Sequence, residues 1–548
     1  MMDDSSIGRD AELKGSARGL AQSLAIKTDL RPELDIYTHR QKLLDWLAML
    51  REYCRDPDAS HSRAADWLLD NDYQVMRAIK QVTEGLPPNF FDRLSVVENA
   101  SGGTCTPRVF EIACALSARE GVQLSMHHIV QYVLSYQQVA LLSTSELWAL
   151  PSMIRLANLE ILAVAFLQLD EKLKPPFVPS RQDVAGEPAD LVARAITNLS
   201  AVHAITWQDF FDQVSPVEAI LKGDPAEVYA HMNFSTRDNY RKIVEHLADG
   251  SSLTDVEIAE LALELSLDGE PKAPKNHVGY WLIGEGRCEI EERASYKMPI
   301  GEWLGRRFRP YRQIGYVLAL LLVVLLALAV PIIHLASIEA PVWTWIVGIS
   351  LSLLPASVLS VSVVHWLIPF FVAPVTLPAL DFRKSIPDNC SAAVVVPVII
   401  SNAAAIRSIV ELLETRWLAN PDPNLKYVLL SDLSDAAQEK LPSDGEIEGA
   451  LVAEIRNLNA RHGGTSANPF FLMHRSRRYN AAEGCWMGWE RKRGKLEQFN
   501  NVVLGGKPDD FSICIGETDA LRQCRFVITL DADTMLPPGT AAQMVGTL

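Results

Sequence analysis

At 548 residues the chain exceeds one ordinary domain and should divide into about three or four units, each with its own core. A net charge of −16 argues weakly against a nucleic-acid partner, which needs a basic face to neutralise phosphates, and no Lys/Arg-rich run offers such a face. The 8 cysteines form no C-x-x-C pair and have no histidine at metal-ligand spacing, so they read as free, mostly buried thiols of a reducing compartment.

Residues 1–33 read as a flexible, polar N-terminus that lacks the apolar run of a cleaved signal peptide. Over 34–300 apolar residues recur at helical spacing, as at Leu43, Leu44, Trp46, Leu47 and Leu50, and again at Leu147, Leu150, Met153 and Ile154. Leu86-Pro87-Pro88, Gly102-Gly103 and Lys174-Pro175-Pro176 punctuate the pattern, which predicts an all-α cytoplasmic domain. Ser143-Thr144-Ser145 ahead of Glu146 marks a helix start, because short hydroxyl side chains accept from the unpaired amides of a first turn.

A basic juxtamembrane segment, 301–313, carries Arg306, Arg307, Arg309 and Arg312. It precedes two apolar runs, 314–335 and 342–380, which together form a predicted transmembrane hairpin over 314–380. About 20 apolar residues at ~1.5 Å each cross a hydrocarbon core of ~30 Å. A buried soluble helix is the other reading of either run, but a tight loop between two of them favours the lipid bilayer. Pro355 and Pro369 would kink the longer run or lay its tail along the interface. The arginines before the hairpin and Arg383-Lys384 after it place both ends in the cytoplasm.

From 391 onward strands alternate with helices. Strands are expected at 392–400, 426–430, 470–473 and 525–530, with helices at 406–417, 447–458 and 496–503 between them. This order predicts a parallel, doubly wound sheet that binds ligands at the carboxyl ends of its strands.

Three features there carry chemistry. Asp531 and Asp533 follow an apolar strand at spacing i, i+2, so in extended backbone they share one face and can converge on Mg²⁺ or Mn²⁺; a surface loop with two chance aspartates fits the same letters. Asp432 ends another strand, where an acid accepts from a nucleotide, or where Asp and Ser simply make a turn. The basic stretch Arg491, Lys492, Arg493, Lys495 reads either as a phosphate-receiving helix start or as a solvated face. Trp486 and Trp489 read as a sugar-stacking pair or, more simply, as core.

Taken together, FVITLDADTMLPP (526–538), GCWMGWERKRGKLEQFN (484–500), LANPDPNLKYVLLSDLSDA (418–436) and AAVVVPVII (392–400) resemble the glycosyltransferase region of cyclic β-1,2-glucan synthases. DPAEVYAHMNFSTRDNYR (224–241) and HVGYWLIGEGR (277–287) resemble that family's N-terminal region. The resemblance implies a multi-pass enzyme of the bacterial inner membrane that builds β-1,2-glucan from UDP-glucose by metal-assisted inverting transfer and closes it into a ring. It implies a glycosyltransferase-A type domain over 391–548 in which Asp432 holds the uridine, Lys495 is the cation of the phosphate-side loop, and Asp531 and Asp533 bind Mg²⁺ or Mn²⁺. Implied partners are UDP-glucose, the growing β-glucan, the bilayer and a glucan exporter.

The family's general base, its Gln-x-x-Arg-Trp motif, further spans and a phosphorylase-like domain are expected beyond Leu548. The expected fold class is therefore multidomain: an all-α N-terminal domain, two transmembrane helices, and an incomplete α/β glycosyltransferase-A type domain. Such a chain would hold the donor-binding half, contain no catalytic residue of its own and be inactive alone. A cellulose-like or other linear β-glucan synthase and a non-catalytic membrane scaffold are the rival readings.

Overall fold

The computed structural model describes residues 4–24, 35–55, 63–98, 105–119, 124–169, 186–270, 273–372, 374–462 and 468–547. Gly102-Gly103 and Lys174-Pro175-Pro176 lie outside them. The chain divides into two compact units, one of Met1–Ala230 with Asp238–Pro310, the other of His231–Arg237 with Tyr311–Leu548.

The first unit is helical, with one short antiparallel strand pair, Val96–Glu98 and Cys105–Pro107, that the sequence did not announce. Where a flexible segment was expected, Asp4–Ser23 forms a helix that buries Leu13, Ala17 and Ala21. At the centre lies α1 (Thr144–Leu169). Its predicted start is present: the Glu146 amide donates to Ser143 Oγ (3.3 Å), and the Ser143 amide donates to Glu146 Oε2 (2.9 Å).

The ends of the motif at 224–241, residues 224–230 and 238–241, lie in this unit with the motif at 277–287. Asp224 accepts from the Val278 amide (3.0 Å) and lies 2.8 Å from His277 Nδ1. Glu218, fully buried, accepts from Tyr229 Oη (2.8 Å) and Arg241 Nη1 (2.6 Å). A carboxylate without water is tolerable only with such partners.

Among the described residues three helices, not two, are long and apolar enough to cross a membrane: α1 and two others, α2 (Arg312–Ser337) and α3 (Val342–Phe371). They differ in what covers them. The most apolar window of α1 is 94% buried by protein, and α1 carries Glu146, Arg155 and Glu160, which hydrocarbon would penalise. The corresponding windows in the helices that contain α2 and α3 are 6% and 11% buried, leaving Leu321, Leu325, Leu354 and Phe370 facing outward. Ser360 Oγ donates to the Leu320 carbonyl (2.7 Å) across the α2–α3 pair. The second apolar run is helical only to Phe371, short of the expected limit at Leu380, and Pro355 lies inside the helix without ending it.

After the hairpin come β1 (Ala392–Ile400), α4 (Ala403–Ala419), β2 (Leu425–Leu433), α5 (Asp444–His462), β3 (Phe470–Arg475), β4 (Arg478–Asn480), β5 (Cys485–Met487), α6 (Arg491–Val503), β6 (Ile513–Ile515), β7 (Phe526–Thr529) and α7 (Thr540–Thr547). The five-stranded sheet has the order β6-β3-β2-β1-β7. Four strands are parallel, and β6 runs antiparallel on the edge beside β3, so the sheet is mixed where an all-parallel one was expected.

β1 is apolar almost throughout because both its faces are covered, the pattern of a central parallel strand. Val394, Val396 and Val398 pack with Ile406, Val410 and Leu413 of α4 and with Leu451 and Ile455 of α5. Val395 packs on the other face with Phe499 and Val502 of α6. Each such side chain contributes roughly 1.5–3 kcal/mol relative to exposure.

The chain winds outward from β1 to β3 and returns to the far side of β1 as β7, so the order reverses between β1 and β7. β7 pairs with β1 only as far as Val395–Thr529, and the Leu530 amide then donates to the Val395 carbonyl (2.9 Å). By the two-residue period of a strand Pro397 faces that same side, where no ladder continues and its missing N–H costs nothing. Among the seven cysteines described as free, Cys54, Cys114 and Cys524 are buried, while Cys288 and Cys514 are exposed, so burial is less general than expected.

Candidate functional site

The carboxyl end of β2 delivers Asp432 into a buried ionic cluster. Arg475, the last residue of β3, donates Nε to Oδ1 and Nη2 to Oδ2, both at 2.7 Å. Lys495 Nζ reaches Asp432 Oδ2 at 2.8 Å and the Val398 carbonyl at 2.6 Å. Asp432, Arg475 and Lys495 are 2%, 3% and 1% exposed, so the cluster is dry and holds one more positive than negative charge. Burial pulls the Lys495 ammonium below its ordinary range, with Asp432 opposing the shift.

The remaining Arg475 N–H groups hold the chain entering α6. They donate to the carbonyls of Trp489 (3.0 Å) and Arg491 (3.1 Å) and to Gln498 Oε1 (2.7 Å). Between those carbonyls Glu490 and Arg491 are left-handed, at φ 51° and 46°. Two such non-glycine residues in succession are strained, and strain of this kind collects at functional sites. Space is tight as well: a Cβ on Gly488 would meet Asp432 Oδ2 at 2.5 Å, and one on Gly494 would meet the Trp489 carbonyl oxygen at 2.1 Å.

α6 starts at Arg491, five residues earlier than expected, so all four cations of the basic stretch lie in its first turns. Cations at a helix N-terminus oppose the macrodipole, an arrangement that makes sense where an anion is to be received. Arg491 is held by Asp435 (3.0 Å) and Glu483 (2.9 Å), Lys492 by Asp531, and Lys495 by Asp432. Arg493 is exposed and has no ion pair among the described residues.

Asp531 and Asp533 lie outside β7, in a turn closed by the Thr534 amide donating to the Asp531 carbonyl (3.1 Å). The shared-face argument for an extended strand therefore does not apply. Both side chains are exposed. The turn is fastened from beneath by Arg416 of α4, which is 1% exposed and donates to the carbonyls of Thr534 (3.0 Å), Ala532 (2.6 Å) and Asp531 (3.3 Å). Asn420 continues the clamp, donating to the Leu536 and Pro537 carbonyls (3.2 and 3.0 Å).

The structure thus joins Asp432 to Lys495 directly and links Asp531 to the same helix through Lys492, one turn earlier; Asp533 touches none of them. Two exposed carboxylates, one already holding an ammonium group, suit a hard divalent cation that takes its other ligands from phosphate and water. No third Asp, Glu, His or Cys joins them in a ligand cluster among the described residues. The one such grouping there, Asp435, Glu483 and Cys485, already carries the Arg491 guanidinium on both carboxylates. Trp486 lies against Tyr479 at 5.6 Å and Trp489 is 42% exposed, so neither ring is buried in the core as the simpler reading had it.

His474, fully buried on β3, has Nδ1 2.8 Å from Ser431 Oγ, and burial drives its imidazole down to about 4. Below the ordinary value of 6.5 the unfolded chain takes up a proton that the folded chain refuses until about 4. Stability should therefore fall as pH drops through that window, by at most about 3 kcal/mol. Hydrogen exchange of β3 between pH 7 and pH 4 measures this; His474→Gln should flatten the dependence, and an unchanged slope would assign it to other groups.

Reading the sequence missed Arg416 and Arg475. Arg416 continues the buried stripe Ile406, Val410, Leu413, and a cation in register with such a stripe was the available signal. Arg475 belongs to the run His474-Arg475-Ser476-Arg477-Arg478, which follows a buried strand directly.

No protein-family model matches this chain. It is similar to the cyclic beta-(1,2)-glucan synthase NdvB of Rhizobium meliloti (strain 1021), 27% identical over 588 aligned positions that cover 93% of this chain. The chain spans 21% of the length of that protein. Similarity running through the helical unit, the apolar hairpin and the α/β unit makes the chain a relative of this cyclic β-(1,2)-glucan synthase.

Proposed function

We propose that the α/β unit is the donor-binding part of a glycosyltransferase-A type domain that takes UDP-glucose and serves the synthesis of a β-1,2-glucan. The observation that carries this reading is α6. In two successive turns it sets Lys495 on Asp432 and Lys492 on Asp531, linking the acid on β2 and the acidic turn after β7 to one strained, cation-rich helix start beside the strand-order reversal. The net positive cluster and exposed Arg493 suit a diphosphate. Asp432 is 2% exposed and held by Arg475 and Lys495, so in this reading the uridine reaches its carboxylate by taking the place of part of that ion pairing.

In this reading Asp531 and Asp533 hold Mg²⁺ or Mn²⁺, which when bound neutralises charge on the departing diphosphate. Lys495 and Arg475 hold Asp432 at the nucleotide end, and Gly488 lets the backbone pass close to that carboxylate. The base that deprotonates the accepting hydroxyl is assigned to no residue of this chain. The apolar hairpin would hold the unit at the bacterial inner membrane, with both hairpin ends cytoplasmic by their flanking cations. There a growing glucan can be passed to an exporter.

The test uses membranes that express the complete coding sequence, supplied with labelled UDP-glucose and Mg²⁺ or Mn²⁺. Asp533→Ala should lower incorporation at least 100-fold, in keeping with loss of a group acting on transition-state charge. Incorporation unchanged in that variant would remove the metal from these aspartates. Linkage analysis of the product separates β-1,2-glucan from a cellulose-like chain.

A further inference from the structure

The turn after β7 carries a second recognition element beside its carboxylates. Arg416 draws the carbonyls of Asp531 and Ala532 inward. In a trans peptide the carbonyl and the following N–H point in opposite directions, and the chain has no cis peptide bonds. The amides of Ala532 and Asp533 therefore turn outward, and neither has a hydrogen-bond partner among the described residues. Behind them the Arg416 guanidinium is almost fully buried and forms no ion pair among the described residues. Its field reaches the turn with little screening by water.

We infer that Arg416 is a positioning residue that aims the Ala532 and Asp533 amides at a phosphate oxygen of a nucleoside diphosphate. This rests on the nucleotide-sugar reading of the same site and adds to it a phosphate contact made by backbone. Paired outward amides with positive charge behind them form an anion-binding concavity. The side-chain carboxylates on the same turn would repel a phosphate if they stood alone, so the two elements work together only when a divalent cation accompanies the ligand.

The experiment titrates the whole chain, in detergent or nanodiscs, with UDP in the presence of Mn²⁺, following heat of binding and the free-Mn²⁺ resonance signal. Arg416→Lys keeps a positive charge but cannot serve three carbonyls, and it should weaken UDP binding at least tenfold. Arg416→Ala should weaken it further, and added methylguanidinium should restore binding where ammonium at equal ionic strength does not. If Arg416→Ala fails to fold, the lysine variant decides alone. Wild-type UDP affinity in Arg416→Lys, alongside loss of Mn²⁺ binding in Asp533→Asn, would overturn the inference and leave the donor reading standing. Absence of any Mn²⁺-dependent UDP binding by the unaltered chain would remove the donor reading, and this inference with it.

Discussion

Asp432→Ala is expected to destabilise the α/β unit by about 3–5 kcal/mol, the usual cost of leaving a buried charge without its partner. The variant strands two cations, Arg475 at 3% and Lys495 at 1% exposure. Their escape routes differ. Lys495 can shed its proton, since burial already draws its ammonium downward, whereas Arg475 stays charged under all ordinary conditions. Removing Lys495 as well should then recover part of the loss, so Asp432→Ala/Lys495→Met should be less destabilised than the two single effects added together. Chemical denaturation followed by hydrogen exchange in β2 and β3 reads this directly. A loss below about 1 kcal/mol would mean that water reaches the cluster.

The same physics applies in the helical unit. Glu218→Ala should cost about 3–5 kcal/mol there, because Arg241, fully buried, loses a carboxylate 2.6 Å away and the Tyr229 hydroxyl loses an acceptor. Glu218→Gln separates the two contributions. An amide oxygen can still accept from the Tyr229 hydroxyl but brings no charge to Arg241, so this variant should fall between wild type and alanine. Exchange within the helix Phe234–Asp249, which carries Arg241, is the readout. Equal stability in all three proteins would show that other groups satisfy Arg241.

Much of the fold was legible because the relevant signals are local. β1 was read from its β-branched letters with both ends correct, since a strand buried on both faces is simply an apolar run. The start of α1 was read from three hydroxyl residues ahead of a glutamate. α2 could be taken as a span from its missing charges, yet α1, less apolar but still long and apolar enough to cross a membrane, lies inside protein; only its neighbours reveal that.

The site was legible in its letters and not in its geometry. Asp531-Ala532-Asp533 looked like a strand tip, but β7 stops at Thr529 and the aspartates fall in a turn. Asp432 looked like an open acceptor, but the salt bridge from β3 depends on which strand lies beside which, a property of the whole sheet. Trp489 looked like core, but the left-handed pair after it follows from the grip of Arg475 on two carbonyls and from no letter nearby.

Pro397 has a consequence for how this site can vary. A loop leaving a parallel strand usually takes its elevation from the ladder, and changing it means sliding a register. Beside Pro397 the ladder has already stopped, so the elevation of the aspartate turn is dictated by Arg416 and Asn420 on a neighbouring helix. Transplanting the turn onto a related scaffold would therefore fail unless that pair of side chains travelled with it, and the height of the turn can be altered by editing one helix face while every strand pairing stays as it is.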